Sequence, residues 1–480
     1  MAANVIGLGA GVAAAFGVQL LLGRRLPAGG LGLVTVAVQV AFVASAGSRF
    51  GMDMTAIRRV AIDLGVGDTG HLRSLVDRAA ALSIAASAAV AALVAVGALA
   101  TGMYRDVVVV GALGIPAIAA ANVYLGATRG LKLMTPTLWV FWIGQPVAWI
   151  GLAAAFIAAG GGEGWAVAAY DLSWLAALIA ARAWWRRLSA GMGDRPATRG
   201  MLREAIAYGL PRAPSALFAQ ALFWADLFVL GHYAHGRPLD AYAAAGRVSQ
   251  VVLLFLTSVS LIFSPFAADL HARGQIGRLD QLFKDATRWA LAATLPALVV
   301  LFVDAHEVLR AFGHGFSAGV TPLRIMLAGQ AVNVATGSVA TVLVMVGRTG
   351  LDLLDNLAAT VVLTGGAAFL ASGHGPDGAA VASAVTLAGV NLVRLVQVAR
   401  AVRIQPLSAA HLRLAVPGAA CAAAALGVHA GMAGRPWWAI LGVTLAVALP
   451  AYAAVLAVAL PAHERAAVRA RLRAADRRAP

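Results

Sequence analysis

The chain has 480 residues, of which 61% are hydrophobic and 12% charged, and its mean hydropathy is +0.81. A water-soluble domain carries roughly 25% charged residues, so the composition excludes one and makes lipid the solvent for most of the chain. The formal net charge of +16 does not mark a nucleic-acid binder, because the arginines stand in short clusters between apolar runs and not on one face interleaved with aromatics.

A bilayer core about 30 Å thick needs roughly 20 apolar residues per helix. In chain order this predicts fourteen spans, at about 2–22, 30–48, 79–101, 106–126, 136–158, 164–182, 206–231, 241–265, 286–304, 322–346, 352–372, 377–398, 412–430 and 437–460. The first has no basic residues ahead of it and no convincing cleavage pattern, so it reads as a span and not as a removable signal. Basic residues alternate with the spans. With both termini in the cytoplasm, cytoplasmic segments hold 28 Lys and Arg and the opposite side 7, the asymmetry of the positive-inside rule. No connector exceeds 35 residues, so no separate soluble domain is expected. The basic tail from Ala462 to Ala479 is expected to lie against anionic headgroups.

The first span closes on Leu22-Gly23 and the seventh on Leu230-Gly231, an offset of 208 residues. Each is followed by a polar connector and a helix containing glutamine. A repeat recurring after six spans relates two halves of the same orientation about an axis along the membrane normal. The expected organisation is therefore all-α and integral to the membrane. Two six-helix lobes, 1–204 and 205–404, form a parallel pseudo-twofold repeat, and residues 405–480 add two further helices and the tail.

Catalytic chemistry is not expected. No Walker loop, dinucleotide-binding glycine fingerprint or zinc-protease motif occurs. The single cysteine, Cys421, lies in an apolar segment and is expected to be buried packing. His232 and His235 form the closest histidine pair, with no third ligand nearby in sequence. Neither a metal nor a cofactor is expected.

Several motifs resemble those of Wzx-type polysaccharide flippases, the O-antigen-flippase-like members of the multidrug/oligosaccharidyl-lipid/polysaccharide (MOP) exporter superfamily. They are Gly23-Arg24-Arg25-Leu26 through Gly32; Gly51 followed by Arg58 and Val60-Ala61; and Pro211…Asp226…Leu230-Gly231…Tyr242. Others are Ser264-Pro265-Phe266, Gly315-Phe316 through Leu323-Arg324-Ile325, Val346-Gly347-Arg348 with Asn356, and Gly375-Pro376-Asp377-Gly378-Ala379-Ala380. In this chain Gly315 is tighter to Phe316 than in the family pattern, and the segment opening at Gly375 is shortened. The resemblance runs from about residue 20 to 400, and its weight lies in the order of the motifs. It implies a MATE/MurJ-like fold in the cytoplasmic membrane, with both termini cytoplasmic. It also implies flipping of a polyprenyl-pyrophosphate-linked oligosaccharide or related glycolipid by alternating access, for surface polysaccharides such as lipopolysaccharide O-antigen. Glycosyltransferases and the polymerase of the same pathway would be its protein partners. The rival reading is a MATE-like ion-coupled drug or metabolite antiporter. Many such proteins carry an acidic residue in the first helix, where this chain offers only Asn4 and Gln19.

Moving a diphosphate through hydrocarbon requires donors in place of water, since each unsatisfied polar group there costs several kcal/mol. Arginine suits phosphate because its planar fork donates bidentate hydrogen bonds and its charge does not titrate away. Arg212 and Asp226 in the seventh span and Arg247 in the eighth are the leading candidates. Gln220 flanks them, Arg58 stands at the cytoplasmic mouth, and Gln330 and Asn333 share a face of the tenth span with Gly337. Asp171 and Asn391 are weaker candidates. On an unbroken seventh helix Arg212, Ser215 and Asp226 form one seam, and Leu210, Leu217, Trp224 and Phe228 form a lipid-facing stripe. Arg212 also reads as a residue snorkelling to headgroups, Asp226 and Arg247 as a buried ion pair, and Gln330 with Asn333 as interhelical hydrogen bonding.

Overall fold

A computed structural model describes residues 2–210 and 213–459, without the side chains of residues 2–10, 12, 261, 262, 265 and 272. The described chain is helical throughout and contains no strand. Among the described residues each expected span falls on one helix or on two or three successive helical segments. Among the described residues ten helices are long and apolar enough to cross a bilayer, or twelve when each bent pair counts as one span. The longest, Thr349–Val402, covers two expected spans, and Gly375 at φ 54°, ψ −134° breaks it before Pro376. A proline disfavours the helical region for the residue before it, and glycine supplies the positive φ that the corner takes.

Packing divides the chain into two units. One comprises residues 1–244, 312–318 and 353–382, and the other 245–311, 319–352 and 383–480. The expected lobes 1–204 and 205–404 are a division of another kind, by order of spans and not by packing.

In the first unit helix Ile115–Gly130 is the centre, buried along almost its whole length. It packs against Met52–Val66, Leu72–Thr101 and Glu163–Leu188. Small residues allow this approach. A Cβ on Gly126 would lie 2.5 Å from the Asp53 carbonyl oxygen, and one on Gly130 would lie 2.7 Å from Val60 Cβ. The stretch between the second and third spans, expected as a loop, instead folds into helix Met52–Val66. Met52, Thr55, Ala56, Val60 and Asp63 are its buried face, a helical spacing that a reading tuned to membrane-length runs passes over.

Contacts within this unit follow the 208-residue offset. Gly23 packs on Phe312, whose carbonyl oxygen would lie 3.1 Å from an added Cβ, and Gly231 packs on Tyr104, whose hydroxyl occupies the Cβ position. Gly23 and Gly231 are 208 residues apart, as are Tyr104 and Phe312. The two contacts thus join positions related by the offset, one through a main-chain carbonyl and the other through a side-chain hydroxyl. The two connectors also meet. Asp240, 1% exposed, accepts the Gly32 N–H and the Gly29 N–H at 2.7 Å each, and Gly32 is its own repeat position. A Cβ on Gly29 would lie 3.1 Å from Gly236 Cα.

In the second unit Ile276–Val303 packs against Leu253–Ala272, Val320–Thr336, Ala415–Gly431 and Trp437–Ala459. One cluster gathers Phe263, Leu279, Phe283, Val339, Leu343 and Val398. A second gathers Val300, Cys421, Ala425, Ala448 and Tyr452, with the Tyr452 hydroxyl donating to Ala292 O at 2.6 Å. Cys421 is free and buried, as expected. Large apolar side chains such as Leu93, Phe369, Val385 and Trp438 remain more than half exposed on helix faces. In water such surface would drive aggregation, and hydrocarbon satisfies it. The chain is built as a multi-pass membrane protein.

Candidate functional site

The seventh span is not the continuous helix expected. It runs as Arg199–Gly209, Ala213–Ala221 and Ala225–Tyr233, with a turn at Leu222–Trp224 where Trp224 adopts φ −139°. Across this break the 100°-per-residue phase is lost, so a seam from Ser215 to Asp226 cannot be projected along one axis. The lipid-facing stripe fails at Trp224, which is 6% exposed, while Leu217 packs on Gly47. Arg212 lies outside the described residues.

Asp226 accounts for part of the break. Its Oδ1 accepts the Leu227 N–H at 2.9 Å, replacing the ladder carbonyl that a continuous helix would offer. Its Oδ2 accepts the Tyr242 hydroxyl at 2.6 Å. Both residues are buried, at 5% and 2% exposure. A carboxylate in the first turn of Ala225–Tyr233 also meets the positive end of that helix dipole. Asp226 and Tyr242 of the resemblance motif are therefore directly bonded, a partnership not anticipated from spacing. Gln220 sits half-buried two residues before the break, and its carbonyl accepts the Phe223 N–H at 3.2 Å.

Arg58 is exposed and stacks 4.4 Å over the Tyr208 ring. Its neighbour Arg59 pairs with Glu204 at 3.1 Å, and Arg49 pairs with Asp53 at 3.4 Å. Gly51 at φ 63° lets this helix approach the next, an added Cβ lying 2.5 Å from Gly209 O. These contacts join Met52–Val66 to Arg199–Gly209.

Asp171, a weaker candidate by sequence, sits in an unusual environment. Both its carboxylate oxygens are buried and have no hydrogen-bond partner among the described residues, and one presses on Gly114 where a Cβ would stand. A buried carboxylate in a membrane helix is a candidate functional position.

In the second unit Arg247 lies near the end of helix Arg237–Gln250, with its Nε buried. Asn333 donates to Gln330 Oε1 at 3.0 Å, and Gln330 is 5% exposed. Gly337 does not continue their face. It ends helix Val320–Thr336 at φ 68° and seats its α-carbon against Thr287, and the following Val339–Met345 is bent away by 43°. Asn391 donates to Leu387 O of its own helix at 2.8 Å. Two arrangements were not anticipated: a partly buried Arg394–Asp352 ion pair at 3.3 Å, and a group of Asp304, Glu307 and His429.

Residues 211–365 match the MatE family model. That segment contains the break in the seventh span and the candidates Arg212, Gln220, Asp226, Arg247, Gln330 and Asn333, with Arg58 outside it. Among solved structures, the lipid II flippase MurJ in an inward closed conformation is similar with a TM-score of 0.71 at 12% identity, covering 95% of this chain and 98% of that one. An inward-facing multidrug resistance MATE transporter of the MOP superfamily gives 0.66 at 14% identity, covering 83% and 98%. A MOP superfamily transporter from Pyrococcus furiosus gives 0.58 at 14%, covering 83% and 95%. Among curated proteins no sequence relative is found. The chain has the fold of the MATE and MurJ transporters, and at these identities the likeness concerns fold, not substrate.

Proposed function

We propose that this protein is a flippase of the cytoplasmic membrane that moves a polyprenyl-pyrophosphate-linked oligosaccharide, or a related glycolipid, to the outer leaflet. The observation that carries this reading is the extent of the likeness. The MurJ chain covers 95% of the sequence, whereas the MATE transporters cover 83%, so a lipid-substrate flippase accounts for more of the chain than a drug antiporter does. The ordered flippase motifs of residues 20–400 support the same substrate class. In this reading the two six-helix repeats open alternately to the two sides, with both termini cytoplasmic. Arg212 and Arg247 donate to the diphosphate, Gln220, Gln330 and Asn333 contact sugar, Arg58 gathers the headgroup at the cytoplasmic mouth, and Asp226 with Tyr242 holds the break in the seventh span. Pathway glycosyltransferases and the polymerase are the protein partners. Loss of the gene should make lipid-linked oligosaccharide accumulate on the inner leaflet while its synthesis continues; unchanged leaflet distribution would refute the reading.

The MatE match over residues 211–365 and the buried Asp171 carboxylate, without a hydrogen-bond partner among the described residues, favour a second reading, an ion-coupled antiporter. Its mark would be proton- or sodium-dependent efflux of a small organic cation, abolished by Asp171→Asn.

A further inference from the structure

Two buried carboxylates and one imidazole converge where helix Ile276–Val303 ends. Asp304 is the C-cap of that helix and has no exposure; Glu307, in the helix Ala305–Arg310, is 5% exposed. His429 comes from the last turn of Ala415–Gly431. Its Nδ1 lies 3.1 Å from Asp304 Oδ1 and 3.7 Å from Glu307 Oε2. Asp304 Oδ2 and Glu307 Oε2 are buried and accept no hydrogen bond among the described residues. The nearby Arg324 spends its guanidinium on the carbonyls of Phe302 and Val303, at 3.0 and 3.4 Å. Among the described residues, His429 is the charged or chargeable partner of both carboxylates.

Two carboxylates held out of water against one imidazole are electrostatically incomplete, because a buried charge is costly unless paired or bound to a metal. A divalent cation balances them. For zinc, with bonds of about 2.0–2.1 Å in a tetrahedron, adjacent ligand atoms stand roughly 3.3 Å apart. The observed 3.1 and 3.7 Å bracket that spacing, and the three ligand atoms all lie within 4.8 Å of one another. An imidazole in the set favours zinc over magnesium or calcium, which prefer oxygen ligands alone. The His429 side chain, 41% exposed, gives the ion an entry path and leaves a fourth position for water.

We infer that Asp304, Glu307 and His429 form a zinc site that staples the capped end of Ile276–Val303 to the last turn of Ala415–Gly431. The site ties down the first of the two helices that follow the six-helix repeats, on the side that the distribution of basic residues assigns to the outside. It is independent of which substrate the protein carries.

The test uses the full chain, purified in detergent on a tag without histidine, stripped with a chelator and re-equilibrated with buffered micromolar Zn2+. One zinc retained per chain by elemental analysis is expected, with a raised Tm that Mg2+ and Ca2+ do not reproduce. Glu307→Gln and His429→Gln should each weaken zinc binding by at least about tenfold, the scale set by loss of supporting groups around metal sites. Co2+ offered to the wild-type protein should give the visible absorption of a tetrahedral site, a readout that needs no variant to fold. No retained zinc, or equal retention in the Glu307→Gln/His429→Gln double variant, or a Co2+ spectrum of octahedral type, would overturn the assignment.

Discussion

Replacing Asp240 tests the joint between the two repeat connectors. The wild-type carboxylate accepts two glycine N–H groups at 2.7 Å each while fully buried. In Asp240→Asn one oxygen keeps one glycine, but the amide nitrogen faces the other N–H donor to donor. The change removes one charge-assisted bond and strands one buried donor, which together cost roughly 3 kcal/mol. Asp240→Ala strands both and costs roughly 5 kcal/mol. Arg237, 3.6 Å from the carboxylate but 38% exposed, contributes under about 1 kcal/mol. With an unfolding entropy of roughly 2 cal/mol/K per residue, a 480-residue chain loses about 1 °C of Tm per kcal/mol. The expected losses are therefore about 3 °C for Asp240→Asn, about 5 °C for Asp240→Ala and under about 1 °C for Arg237→Ala. Intrinsic tryptophan fluorescence during heating in detergent reads them out. An Asp240→Asn protein as stable as wild type would refute the reasoning, showing that desolvation of the carboxylate cancels its two bonds.

Three further outcomes are expected. Gly231→Ala should be far more disruptive than Gly23→Ala, because its methyl would fall on the Tyr104 hydroxyl whereas that at Gly23 finds 3.1 Å to Phe312 O; thermal unfolding of the pair measures the difference, and Tyr104→Leu should partly rescue Gly231→Ala. Tyr242→Phe should cost about 1.5–3 kcal/mol by removing the 2.6 Å bond to a buried carboxylate, and Asp226→Asn should cost less than Asp226→Ala, since its amide oxygen can still accept; stability in detergent checks both. Arg247→Ala and Arg212→Ala should each abolish glycan export at normal membrane abundance, and wild-type export by either would remove that arginine from the headgroup path.

Much of the architecture was legible because lipid imposes one simple demand, a run of apolar residues long enough to span it. The Leu-Gly closings of the first and seventh spans stand 208 residues apart, and the same spacing separates Phe312 from Tyr104, which Gly23 and Gly231 touch. Less legible was whatever depends on a local break. Nothing in LFWAD announces a turn, because no proline or glycine stands there, and Asp226 helps make one by accepting its neighbour's N–H. The same limit hid Met52–Val66, whose helical spacing is too short and too polar to resemble a span. Asp240 and the Asp304–Glu307–His429 group were invisible for another reason. Their partners lie 208 and 125 residues away, and a single carboxylate at a helix end looks the same in sequence whether it faces water or a buried donor.

The central claim is that the cargo is a lipid-linked glycan. Proteoliposomes containing the purified chain and a polyprenyl-diphosphate oligosaccharide, labelled on the sugar, test it most directly through protection of the label from an added, membrane-impermeant glycosidase. The protected fraction should become accessible at a rate that depends on the protein and falls to the protein-free rate in Arg247→Ala. A protected fraction unchanged by the protein, in vesicles that show ion-driven uptake of an organic cation, would contradict it.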